Sequence, residues 1–77
     1  MKKFKVVYDA KKVGERIREL RKEMGIGQIA LAQDTGFSNA VISYWETGKN
    51  EPGARALLIL AQYFNVSIDY ILGLENA

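Results

Sequence analysis

Side chains able to do chemistry are few and unevenly placed in this sequence of 77 residues. It holds no histidine and no cysteine. That removes the commonest general base, the commonest metal ligand, the thiol nucleophile and any thiolate zinc site. Catalysis would have to run on paired carboxylates or on a carboxylate-held metal. The nine acids are scattered along the chain or placed for helix caps and ion pairs, so no enzymatic activity, cofactor, metal or small-molecule ligand is expected. The cations, by contrast, are concentrated. Residues 1–22 carry nine lysines and arginines against Asp9, Glu15 and Glu19, a net +6. Residues 23–77 carry only Lys49 and Arg55 against six acids, a net −4. A one-sided basic region suits a nucleic-acid or acidic-membrane contact. It equally suits a solvated helix face, with Glu15 and Glu19 interleaved among Arg16, Arg18 and Lys22.

The elements that must position these groups come from apolar spacing. The length allows one domain with a modest core. The longest apolar run, Ala56 to Ala61, is six residues, far short of the ~20 that a membrane helix needs. A soluble cytoplasmic binding module is the expected class. Val13, Ile17, Leu20 and Met24 step by four, three and four, which predicts a helix from Lys11 to Met24 with Gly25 beyond its end. A second helix is predicted from Gln28 to Thr35, with Leu31 and Ala32 inward and Gly36 as its stop. Ser38 is a good N-cap for a third, Asn39 to Thr47, with Ile42 and Trp45 on one face and Gly48 at its end. Lys49 to Gly53 reads as a turn. A fourth helix, Ala54 to Phe64, offers Leu57, Leu58, Leu60, Ala61 and Phe64 to the core. Ser67 opens a fifth, Ile68 to Leu72, stopped by Gly73. Short links then make a compact all-α domain of five helices.

Residues 1–10 differ. Phe4, Val6 and Tyr8 alternate with Lys3, Lys5 and Val7, the period of an extended strand. A lone strand cannot satisfy its own backbone. Phe4, Val6 and Tyr8 are expected to be ordered against protein, on the surface of Ile59, Tyr63 and Tyr70, within the chain or across a dimer. The predicted organisation is an extended segment at 1–10, a domain at 11–74 and a tail at 75–77.

Helix two, a turn centred on Gly36 and helix three have the spacing of a helix-turn-helix. The motifs, in order, are Gly14-Glu15-Arg16-Ile17-Arg18-Glu19-Leu20-Arg21, Gly25-Ile26-Gly27-Gln28, Leu31-Ala32, Gly36-Phe37-Ser38, Ile42-Ser43-Tyr44-Trp45-Glu46, Gly48-Lys49, Pro52 and Val66-Ser67-Ile68-Asp69-Tyr70-Ile71-Leu72-Gly73. Together they resemble the phage repressor and Cro-like helix-turn-helix family, also called the Xre family, over roughly residues 13–74. Each piece alone is weak, but the ordered set is specific.

The resemblance implies a lambda-repressor-like fold and a double-stranded DNA partner, with roles residue by residue. Gln28 is placed where relatives commonly set a side-chain amide on a phosphate. Ser38, Asn39, Ala40, Ser43 and Tyr44 occupy groove-facing positions of helix three. Lys49 and Asn50 lie in the loop that meets the DNA backbone. Arg21 and Glu46 match a structural ion pair between helices one and three. The implied function is a transcriptional regulator, read as a repressor. It would act as a cytoplasmic homodimer on bacterial or phage DNA, by occupying operator half-sites.

Three departures from the family pattern stand out. Gly27 replaces the usual Ser or Thr cap of helix two. Ile29 and Ala30 stand where acids are common. Helix three has no Lys or Arg between Ser38 and Thr47, so the Arg–guanine contact is unavailable. Asn39 can pair with adenine, and Ala40 or Val41 can meet a thymine methyl, which predicts A·T-rich half-sites. The Tyr44 hydroxyl is expected on a phosphate. The second reading is a protein–protein module, an antitoxin or adaptor, on the same fold.

Overall fold

The chain leaves extended backbone and enters a helix five times in the computed structural model, which describes residues 7–75. The helices are α1 (Ala10–Glu23), α2 (Gln28–Thr35), α3 (Asn39–Thr47), α4 (Ala54–Phe64) and α5 (Ile68–Ile71). No strand occurs among the described residues. Phe4 and Val6 lie outside the described residues.

Local chemistry sets the helix ends. The Asp9 carboxylate accepts from the Lys11 and Lys12 amides at 3.1 Å, so α1 starts at Ala10, one residue before the expected Lys11. Ser38 and Ser67 cap α3 and α5 by accepting from the Val41 and Tyr70 amides. Such caps are each worth about 1 kcal/mol. Gly27 and Gly53 provide no side-chain cap for α2 and α4. Between α2 and α3 the chain reverses through Gly36 at φ +83°, whose amide donates to the Ala32 carbonyl at 2.9 Å. A side chain at that φ is strained, which explains the glycine at the turn.

Val13, Ile17, Leu20, Leu31, Ala32, Ile42, Trp45, Leu60 and Ile71 form the buried core, drawn from all five helices. Fully burying a Val, Leu or Ile side chain contributes about 1.5–3 kcal/mol. The α4 stripe differs from the expected one at Leu58. Leu60 is buried, Leu57, Ala61 and Phe64 are half-buried, and Leu58 is 54% exposed. The run from Ala56 to Ala61 is apolar all round, but a helix advances about 100° per residue. Leu58 therefore sits roughly 200° from Leu60 and cannot share its face.

Helix α1 lies across α3 at a glycine. A Cβ built on Gly14 would sit 2.0 Å from the Trp45 carbonyl oxygen. The two backbones thus meet with no side chain between them.

Candidate nucleic-acid interface

Helix α3 is divided cleanly between anchor and free face. Ile42, Trp45 and Glu46 are buried. The Trp45 ring meets Phe37 edge-on, with centroids 4.9 Å apart. On the other side Asn39, Ala40 and Tyr44 are exposed and Ser43 is half-buried. Val41 is half-buried against the core, so Ala40 is the apolar side chain on the free face. Ser38 is exposed, with its hydroxyl engaged in capping.

The orientation of α3 relative to α1 rests on charge as well as packing. Arg21 Nε donates to Glu46 Oε2 at 2.7 Å, and Nη2 donates to Glu46 Oε1 at 2.9 Å. Two parallel bonds fix direction as well as distance. Arg21 Nη1 also donates to the Ile26 carbonyl at 2.9 Å, tying the chain between α1 and α2 to the same guanidinium. Both residues are buried, at 9% and 8% exposure. The hydrogen bond to Glu46 pushes the Arg21 pKa above its ordinary value, against the opposing effect of burial. The guanidinium therefore stays charged.

Gln28, the first residue of α2, is half-buried and donates from Nε2 to Glu46 Oε1 at 3.1 Å. The Glu46 carboxylate thus joins all three helices at the candidate surface, accepting from Arg21 of α1 and Gln28 of α2. Lys49 and Asn50 are exposed beyond the end of α3. Their backbone amides both point to the Tyr44 carbonyl, at 2.9 and 3.4 Å. A phosphate met by these two residues must therefore find their side chains, since their amides are engaged.

Two positions that hold this arrangement were not singled out from sequence. Gly14 sets the α1–α3 approach. A glycine inside a helix costs about 0.5–1 kcal/mol relative to alanine, and that cost is a readable signal of close backbone contact. Arg16 fastens α5: Nη1 donates to the Tyr70 carbonyl at 2.8 Å, and the guanidinium lies 3.9 Å from the Tyr70 ring centroid. These partners are 54 residues apart, and nothing local announces them. Tyr70 therefore serves the chain's own packing. So does Tyr63, whose hydroxyl donates to Asp34 at 2.6 Å. Among the described residues no cluster of acids could hold a metal, and no helix is long and apolar enough to cross a membrane.

A family model described as helix-turn-helix matches residues 17–71, well over half of the chain. The chain belongs to the helix-turn-helix family. Repressor protein C2 of Salmonella phage P22 is 45% identical over 60 residues, covering 78% of this chain and 28% of that protein. The transcriptional activator BcrR of Enterococcus faecalis is 34% identical over 62 residues, covering 80% of this chain and 30% of that protein. The crystal structure of the P22 c2 repressor in complex with a synthetic operator superimposes with a TM-score of 0.74, covering 78% of this chain and 91% of that one. This helix-turn-helix chain therefore spans less than a third of these two curated relatives. The resemblance to phage repressors read from sequence holds, as does the five-helix, all-α fold.

Proposed function

We propose that this helix-turn-helix protein is a sequence-specific DNA-binding transcriptional regulator that works in the cytoplasm. In this reading it represses by occupancy, with two copies presenting α3 to successive major-groove half-sites. The reading needs no cofactor, ligand or catalytic group. One observation carries it: 45% identity to a repressor whose structure was solved on operator DNA, with α3 here anchored on one face and free on the other.

The roles follow from placement. Gln28, Lys49 and Asn50 stand at the ends of α2 and α3 and suit phosphate oxygens, while Ser38, which caps α3, stands at its groove-facing end. Asn39 and Ala40 occupy the first turn of α3, the part that reads base edges in this class. Ser43 and Tyr44 lie one turn on, along the same row. A dimer spanning one turn of DNA would place half-site centres ~34–36 Å apart.

Selection of bound sequences from random duplex DNA, followed by affinity measurements across salt, tests the proposal. An A·T-rich motif is expected, with log K falling by about 0.9 per log unit of salt for each phosphate neutralised. A flat salt response, or no binding to any duplex, would instead favour the protein–protein module. That second reading draws on two observations: α3 carries no cation, and Ile29 and Leu58 are 64% and 54% exposed.

A further inference from the structure

The helix-turn-helix unit is poor in positive charge. Between Lys22 and Arg55 the only cation is Lys49, which follows the α3 C-cap. Where its ammonium sits therefore bears heavily on how this unit meets a polyanion.

The loop around Lys49 is built onto Tyr44. The Gly48 amide donates to the Trp45 carbonyl at 3.1 Å, and the Lys49 and Asn50 amides converge on the Tyr44 carbonyl. These bonds close the end of α3 at Gly48, whose φ is +79°, and use up the amides that a phosphate would otherwise find. The Lys49 Nζ then lies 5.3 Å from the centroid of the Tyr44 ring. That is within the distance at which an ammonium is attracted to an aromatic face. Among the described residues no carboxylate lies in ion-pair range of Lys49. Tyr44 is 42% exposed, so it can hold the charge while leaving it open to solvent. A lysine head on a flexible four-carbon stem gains most from such a hold, because rotamer freedom opposes any fixed contact.

We propose that Tyr44 is a positioning residue for Lys49: its ring holds the ammonium against the end of α3, where it neutralises one DNA phosphate. The proposal rests on the DNA-binding reading above and assigns the ring, rather than the hydroxyl, as the useful part of Tyr44. The residue then contributes affinity on every sequence and no base preference.

The test measures duplex affinity for the full chain and for Tyr44→Phe, Tyr44→Leu, Lys49→Met and the Tyr44→Leu/Lys49→Met pair, each against salt. Tyr44→Leu should lose about two- to fivefold, the size of an exposed cation–π contact. Tyr44→Phe, which keeps the ring, should rescue that loss. In the Lys49→Met background Tyr44→Leu should cause no further loss, and Lys49→Met should flatten the salt slope by about 0.9. In the free protein the Lys49 ε-methylene protons should resonate upfield, shielded by the ring, and lose that shift in Tyr44→Leu. Equal losses for Phe and Leu would overturn the proposal in favour of a hydroxyl contact. So would a Tyr44→Leu loss that persists without Lys49, or a selected motif that changes with Tyr44→Leu. A wild-type protein that binds no duplex yet shows the upfield shift would instead overturn the DNA-binding reading itself.

Discussion

Gln28 donates its side-chain amide to Glu46 Oε1 at 3.1 Å, on the same carboxylate that receives Arg21 twice. The start of α2 and the end of α3 are thus oriented by one buried charge pair, together with the Arg21 end of α1. Among the described residues no buried side-chain nitrogen or oxygen lacks a partner, so this polar network is complete as it stands.

Removing one member of the pair strands the other. Arg21→Met or Glu46→Leu alone should cost about 3–5 kcal/mol, the usual penalty for an uncompensated buried charge. The double substitution should cost less than the two singles combined, since no charge is left behind. Urea denaturation of the three variants checks this. Single variants as stable as wild type would show that the pair carries no structural weight.

Gly14→Ala places a methyl group 2.0 Å from the Trp45 carbonyl oxygen. The obstacle is backbone, so α1 and α3 must move apart. A stability loss of about 1–3 kcal/mol is expected, as for other overpacked contacts, despite alanine's better helix propensity. Gly27→Ala is the matched control. Its added Cβ meets nothing within 4 Å and its φ is −86°, so no clash opposes it and any loss comes from alanine's poorer N-cap, at most about 1 kcal/mol. Equal thermal midpoints for Gly14→Ala and wild type would contradict the close crossing.

Asn39 leads α3 with an exposed amide that suits adenine N6 and N7. Asn39→Ala should relax preference at one base pair of the selected motif, by about 1–3 kcal/mol there alone. Quantitative binding to single-base variants of the motif reads this out. Equal losses on every sequence would place Asn39 on the DNA backbone instead.

Alkaline stability should depend on Tyr63. Its hydrogen bond to Asp34, then burial, then the Asp34 charge raise its pKa above the ordinary 10.0. The unfolded chain therefore releases this proton first. The stabilisation is intact below pH 10 and is lost as pH rises through the folded value. Tyr8 is raised in the same direction, by burial and then by the Glu51 charge. Thermal midpoints between pH 9 and pH 11 should fall less steeply in Tyr63→Phe than in wild type. Identical slopes would show that the Asp34 contact is not kept in solution.

Helix positions and the family were legible in the sequence because their causes are local. A stripe such as Val13, Ile17 and Leu20 repeats within single turns, and Ser38, Gly36 and Ser67 act on amides or torsions a few residues away. The ordered motifs from Gly14 to Gly73 carry the family for the same reason. The inner face of α4 was not legible, because a run that is apolar all round has no periodicity to read. Only the placement of α4 against the other helices turned Leu60 inward and left Leu58 in water. The same holds for Arg16 on Tyr70, Gln28 on Glu46 and the Lys49 ammonium over Tyr44. For Arg16 and Gln28 the choice among reachable partners fell to interhelical distances that no local pattern encodes, and for Lys49, five residues beyond Tyr44, to the turn at Gly48 that folds the chain back on α3. At Gly14 the sequence showed a glycine in mid-helix, and the crossing with Trp45 supplied the reason.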